Sequence, residues 1–119
     1  HQPYTAPELR LVRKEVMKSI MNPSVPQTDQ QVRDKIGNIL DQEHPDVIFP
    51  SGYPTAFRGL YFDSDLEKYG VVYSREAMVI TLMSEDKMSD EEALEFLEFN
   101  TFNTYVGGGD YAQPQYIYE

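Results

Sequence analysis

Two short apolar stretches that lie close together in the sequence most constrain the fold of this chain. Residues 58–62 (Arg-Gly-Leu-Tyr-Phe) and 69–73 (Tyr-Gly-Val-Val-Tyr) are typical of strands, and the polar residues 63–68 connect them. A two-stranded unit is only marginally stable in water unless a helix packs on it. The rest of the chain is therefore expected to supply helices that cover these strands.

Two such helices are predicted directly after the second strand. Ser74 is a suitable N-cap for a helix over residues 75–84, which is apolar on nearly all sides. Ser89 and Glu92 form a capping box, in which each side chain accepts a backbone N–H of the other residue. The helix that starts there is expected to run to Val106.

Two further helices are predicted before the strands. Thr5 with Glu8 and Thr28 with Gln31 have capping-box spacing, so a helix is expected to begin at each pair. An apolar stripe at helical spacing follows each start. The stripes are Leu9, Val12, Val16 and Ile20 on the first helix, and Val32, Ile36, Ile39 and Leu40 on the second.

The order of these elements predicts an α+β fold. Residues 115–118 alternate enough to form a final strand, and the expected sheet is small and antiparallel, covered by the two C-terminal helices. The two N-terminal helices pack on it or are exchanged between subunits. By length, residues 1–119 form one domain, in which the helical residues 1–41 could act as an arm and residues 46–119 make up the α+β region.

The charge of the chain is distributed unevenly along the sequence. The formal net charge is −10, and residues 42–119 hold four Lys/Arg against fifteen Asp/Glu, whereas residues 1–41 are close to neutral. Direct binding to nucleic acid is disfavoured, because that affinity depends on Lys and Arg that displace counterions from phosphates. The acidic region favours a partner with a basic surface.

The residue types needed for several kinds of site are missing from the sequence. There is no cysteine, and His1 and His44 are the only histidines, so no histidine cluster or thiolate metal site can form. No phosphate-binding loop or nucleophile motif is present either. We therefore expect no enzyme activity, no cofactor and no metal. No window is apolar enough for a membrane span and no signal peptide is evident, so a soluble intracellular chain is expected.

The acidic start of the helix predicted from Ser89 is the leading candidate site. Asp90, Glu91 and Glu92 lie in the first turn, where carboxylates are stabilised by the helix dipole. Stabilisation by the helix dipole does not explain Glu95 and Glu98, because they lie beyond the first turn. They share one side of the helix with Glu91. This side is either a solvated face or a face that binds a partner or mimics DNA. The candidate partner-binding carboxylates are Glu85, Asp86, Glu91, Glu95 and Glu98.

Tyrosine is unusually abundant, with nine residues. Tyr111, Tyr116 and Tyr118, together with Tyr53, either form an amphipathic contact patch or are ordinary strand residues. Several of the aromatic residues are expected in the core, because Phe96, Phe99 and Phe102 all lie on the last predicted helix.

The first predicted helix has the opposite charge from the last. Its basic residues are expected to dock against the acidic region of the same chain or of a second copy, which would give salt-sensitive self-association. These candidate self-association residues are Arg10, Arg13, Lys14 and Lys18.

Two further motifs favour plain structural interpretations. Asp63 and Asp65 open a sequence like a calcium loop, but Lys68 stands where such a loop needs glycine and Ser74 where it needs glutamate. A polar hairpin connection is the favoured interpretation. Glycines 107–109 follow a predicted helix, so a helix stop is favoured over a phosphate cradle.

The order of elements over residues 57–107 resembles a family of small uncharacterised proteins of tailed bacteriophages. The resemblance depends on residues 70–73 (Gly-Val-Val-Tyr), the helix 75–83, the run 91–100 (Glu-Glu-Ala-Leu-Glu-Phe-Leu-Glu-Phe-Asn) and residues 105–107 (Tyr-Val-Gly). It excludes the first two helices, and here a Tyr-rich tail replaces the short strand that the family has after the glycine. The resemblance implies a phage or prophage origin and supplies no catalytic residue. The expected location is the host cytoplasm.

The expected function is that of a non-catalytic interaction protein. It would bind a host or phage protein, for instance a nucleic-acid-binding one, through its acidic surface, as an inhibitor or DNA mimic. One alternative is a self-assembling structural protein, and a second is a carboxylate-dependent metal hydrolase. The second alternative lacks the nucleophile and base that catalysis requires.

Overall fold

The computed structural model of the protein describes residues 14–18, 22 and 24–119. The predicted Thr5–Glu8 capping box, with Arg10 and Arg13, lies outside these residues. The described elements, in chain order, are a helical stretch α1 (residues 14–18), α2 (Asp29–Leu40), a 3₁₀ turn (Pro54–Ala56), β1 (Phe57–Asp63), β2 (Lys68–Ser74), α3 (Arg75–Glu85), α4 (Asp90–Leu97), a π-helical turn (Glu98–Phe102), a second 3₁₀ turn (Gly108–Asp110) and β3 (Gln115–Ile117). The architecture is α+β, as predicted.

The three helix starts within the described residues use the predicted caps. Thr28 Oγ1 accepts the Gln31 backbone N–H at 3.1 Å. Ser74 Oγ accepts the Ala77 N–H at 3.1 Å. At the start of α4 the complete capping box forms, since Ser89 and Glu92 each accept a backbone N–H of the other.

The sheet has three strands in the order β1-β2-β3, and its third strand corrects the prediction of an antiparallel sheet. β1 and β2 form the predicted antiparallel hairpin. β3 pairs parallel to β2, with Tyr73 opposite Tyr116. The reason is that α3 and α4 lie between the two strands, and a connection of that length can return the chain to the end of the sheet from which β2 started.

The last helix ends earlier than predicted. α4 continues through the π-helical turn only to Phe102 and not to Val106. Two polar side chains then bond to the last helical carbonyls: Asn103 Nδ2 donates to Glu98 O at 3.1 Å, and Thr104 Oγ1 donates to Thr101 O at 2.9 Å. Side chains of this kind compete with the helical hydrogen bonds, so they end the helix before the glycines.

The hydrophobic core lies between the sheet and the helices. Its largest fully buried side chains include Tyr73 of β2, Met78 of α3 and Leu97 of α4. Val16 of α1 and Ile36 of α2 belong to the same cluster, so the N-terminal helical residues pack on the α+β region within one chain. Complete burial of a side chain of this size stabilises a fold by about 1.5–3 kcal/mol. Among the described helices, none has the length and apolar character that a bilayer span needs.

Candidate protein-interaction surface

The outer side of α4 combines carboxylates with aromatic rings. Glu91 and Glu95 are exposed, and Phe99, which follows at the same helical spacing, is 83% exposed. Phe96 lies beside them and is 40% exposed. We call these four residues, Glu91, Glu95, Phe96 and Phe99, the α4 face.

The exposure of Phe96 and Phe99 contradicts the expectation that both contribute to the core. Ala93 and Leu97 are fully buried and so occupy the core-facing positions of α4. Phe99 follows Leu97 by two residues, which is about half a helical turn, and therefore points away from the core. Of the three phenylalanines, Phe102 packs inward, with its ring centroid 4.9 Å from that of Tyr116.

The carboxylates of this surface form no ion pair with any of the residues that the structure describes. Within the described residues of the chain, no ion pair involves Glu91, Glu95 or Glu98, and Glu98 is half-buried. The four Lys and Arg of residues 42–119 are used elsewhere. Arg58 pairs with Glu119, Lys68 lies 3.8 Å from Asp46, Arg75 lies over Phe102 and Tyr118, and Lys87 donates to Ser84 O.

The first turn of α4 uses its own carboxylates to stabilise the helix start. Glu92 Oε1 accepts the Ser89 N–H at 3.0 Å, and this hydrogen bond lowers the pKa of Glu92. Asp90 Oδ1 accepts the Glu91 N–H at 2.8 Å. The helix-start interpretation therefore accounts for Asp90 and Glu92, but not for the carboxylate of Glu95.

An apolar groove of about 420 Å³ lies next to the α4 face. Phe96 belongs to both, since its ring forms one wall of the groove. The lining residues are Ile48, Phe49, Pro50, Ser51, Tyr53, Phe96, Asn100, Thr101, Thr104, Val106, Gly107, Pro114 and Tyr116, and none of them is charged. No sequence motif indicates this groove, because residues 48–53 form part of its walls and residues between 96 and 116 form the rest.

Two of the tyrosines proposed from the sequence as a contact patch come together in this groove. Tyr53 and Tyr116 both line it. Burial, followed by the nearby Tyr53, raises the pKa of Tyr116 to about 12. The pKa of Tyr53 is raised first by burial and then by the negative charges of Asp86 and Glu85. Both of these predicted carboxylates are exposed.

The other two tyrosines of the proposed patch have different surroundings. The Lys68 ammonium lies 5.6 Å from the centroid of the Tyr111 ring. The Arg75 guanidinium lies 4.6 Å from the centroid of the Tyr118 ring. Each ring therefore contacts a cation of its own chain, Tyr118 remains 40% exposed, and neither ring lines the groove.

A polar network that no sequence motif indicated joins the end of β2 to the end of the chain. Glu76 is only 5% exposed, and its Oε1 accepts the Glu119 N–H at 2.5 Å. Burial raises the pKa of Glu76. The Glu119 carboxylate in turn pairs with Arg58 and accepts the Ser74 hydroxyl. Because Ser74 is fully buried and caps α3, this network serves the fold rather than nucleophilic chemistry.

The remaining candidates from the sequence take simple roles. Asp63 Oδ1 accepts the N–H groups of Asp65 at 3.0 Å and Leu66 at 3.1 Å, as the hairpin-connection interpretation predicts. Across the described residues, no three His, Asp or Glu side chains come close enough together to hold a metal ion. Lys14 and Lys18 are exposed, and Lys18 lies 3.5 Å from Glu15.

Comparisons with protein-family models, with curated proteins and with solved structures found no match. The resemblance to phage proteins therefore stays a prediction, and function has to be argued from the surface itself.

Proposed function

We propose that this chain is a non-catalytic, phage-encoded interaction protein that binds a host or phage protein through the α4 face. The observation that carries the proposal is the position of Phe99. This ring is 83% exposed on a helix side whose carboxylates, Glu91 and Glu95, form no ion pair with any described residue.

The two chemical components of the face have separate roles in binding. An aromatic ring supplies a large apolar area at low entropic cost, and aromatic residues are enriched at the centre of protein interfaces. Carboxylates attract a basic partner, accelerate encounter and disfavour acidic competitors. The proposed counterpart is a basic surface, such as that of a nucleic-acid-binding protein in the host cytoplasm.

Of the two variants of this function, an inhibitory protein contact has more support than DNA mimicry. A mimic needs an extended array of negative charge and gains nothing from an exposed phenylalanine. Phe96 and Phe99 interrupt the carboxylates of α4 with apolar surface. An inhibitory contact uses both kinds of group, because the rings become buried against the partner and the carboxylates orient it.

Affinity capture from a lysate of the bacterial host, followed by binding measurements with the purified partner, tests the proposal. The variant Glu91→Lys/Glu95→Lys should weaken binding more than tenfold. The matched control Asp34→Lys/Glu43→Lys changes the net charge equally at exposed positions on and after α2, and should bind as the wild type does. Equal binding by wild type and the α4 variant would refute the proposal. Equal loss in both variants would assign the binding to net charge alone and refute it too.

A further inference from the structure

We infer that the groove beside the α4 face receives one bulky apolar side chain from a polypeptide segment whose neighbouring residues are Lys or Arg. This inference rests on the proposed function, because it names the chemistry of the segment that would meet α4.

The size and lining of the groove favour an apolar occupant. A volume of about 420 Å³ lies within the range of sites that hold a ligand group. Its walls include Ile48, Phe49, Phe96 and Val106, and none of the described residues that line it is charged. A charged group placed there would lose its hydration without a partner, which excludes Lys, Arg and carboxylates from the interior.

The rim of the groove, unlike its interior, favours positively charged groups. Phe96, which lines the groove, follows Glu95 directly and Glu92 by one helical turn, and both carboxylates are exposed. The negative charges of Asp86 and Glu85 also act on Tyr53, a second lining residue, and raise its pKa, although burial contributes more. An occupant with an apolar centre and cationic flanks therefore matches both the interior and the rim.

The polar groups of the groove favour a peptide over a hydrocarbon. Asn100, Thr101 and Thr104 line one wall and Tyr53 lines another. Asn100 Nδ2 and Thr104 Oγ1 already donate to Phe96 O and Thr101 O. The Asn100 carbonyl oxygen and the hydroxyl oxygens can still accept N–H groups from the backbone on either side of an inserted side chain. A lipid tail offers these acceptors no N–H or O–H donor.

Fluorescence anisotropy with three labelled peptides tests the inference. The probe is Gly-Lys-Arg-Gly-Phe-Gly-Lys-Arg-Gly, and its two relatives carry Ala in place of Phe, or Glu in place of every Lys and Arg. We expect the probe to bind about tenfold more tightly than the Ala peptide, since burial of a phenyl ring is worth at least about 1.4 kcal/mol. The Glu peptide should bind more weakly than both.

Variants with a filled groove test whether the preference for the Phe probe over the Ala peptide arises at this site. Thr104→Trp places a large ring at an exposed lining position, and Ser51→Trp does so from the opposite wall. Each should reduce binding of the probe to the level of the Ala peptide, which itself should bind as before. The control Tyr105→Trp alters an exposed neighbour outside the groove and should keep the preference for Phe.

The outcomes separate this inference from the proposed function. Equal affinity for the probe and the Ala peptide, or no binding of either, overturns the groove occupant. Retention of the preference in both filled variants does so as well. If the filled-groove variants lose the preference for Phe while the variant Glu91→Lys/Glu95→Lys still captures the partner as the wild type does, that result supports the groove occupant and counts against the α4 face. If the α4 variant loses partner capture but the probe and the Ala peptide bind equally, the α4 face is supported and the groove occupant is refuted.

Discussion

The Ser74 hydroxyl donates a hydrogen bond of 2.8 Å to the Glu119 carboxylate, while the same oxygen accepts the Ala77 N–H that starts α3. One buried side chain thus caps a helix and anchors the segment after β3. The parallel strand is short, and this contact and the pairing of Glu119 with Arg58 add to its pairing with β2 and to the hydrogen bond from Arg75 to Tyr116 O.

Replacement of Ser74 by Ala should cost more stability than loss of an ordinary helix cap. Removal of a cap costs about 1 kcal/mol, and loss of the hydrogen bond to the part-buried Glu119 carboxylate adds about 0.5–1.5 kcal/mol. Ser89→Ala is the matched control, because Ser89 caps α4 at an exposed position. Urea unfolding monitored by circular dichroism should give the larger loss for Ser74→Ala, and equal losses would contradict the anchoring role.

Glu76→Gln should stabilise the protein at neutral pH. A carboxyl whose pKa is raised on folding disfavours the folded state once it ionises, so its cost appears as the pH rises through the ordinary glutamate range. Glutamine keeps the oxygen that accepts the Glu119 N–H without the buried charge. The free energy of unfolding should therefore be higher than wild type at pH 7, and the difference should vanish below about pH 4.

Glu92→Gln should change the free energy of unfolding in the opposite direction from Glu76→Gln, since hydrogen bonds from Ser89 lower the pKa of Glu92. That variant should be less stable than wild type at neutral pH, and the difference should shrink on acidification. A lower stability of Glu76→Gln than of wild type at pH 7 would show that the buried carboxylate is stabilising.

Gly70→Ala should destabilise the hairpin by about 1–3 kcal/mol through steric overlap. Gly70 pairs with Tyr61 across the two strands, and a Cβ atom at residue 70 would lie 2.7 Å from Tyr61 Cζ. The Tyr61 ring cannot move away freely because its hydroxyl donates to Gln113 O at 2.5 Å. Thermal unfolding should show that the same substitution costs less in a Tyr61→Ala background, and an equal cost would exclude this overlap as the cause.

Phe99→Ala and Leu97→Ala should separate binding from folding. Leu97 is fully buried, so its truncation should cost about 2–5 kcal/mol. Phe99 is mostly exposed, so its loss should change the free energy of unfolding by less than about 0.5 kcal/mol. If the α4 face binds the partner, Phe99→Ala should nevertheless lower the affinity about tenfold or more. Unchanged affinity for the purified partner would remove Phe99 from the interface.

Local chemistry made the helix starts predictable. Thr28, Ser74 and Ser89 are caps whose partners lie within three residues, so their effect can be read from the sequence. The same holds for the hairpin connection, where Asp63 accepts the N–H groups of the second and third residues that follow it. The early end of α4 differs from the prediction although its cause is also local, because Asn103 and Thr104 bond to the last helical carbonyls before the chain reaches the glycines.

Contacts between distant residues decided the rest. The sequence alone determined the α+β class, the helix starts and the acidic character of α4, since these follow from spacing and composition. The parallel position of β3, the outward direction of Phe99, the groove and the Ser74–Glu119 link depend on how the elements pack. Packing depends on how apolar side chains from all the elements fill the core together, so it cannot be predicted from any one segment alone.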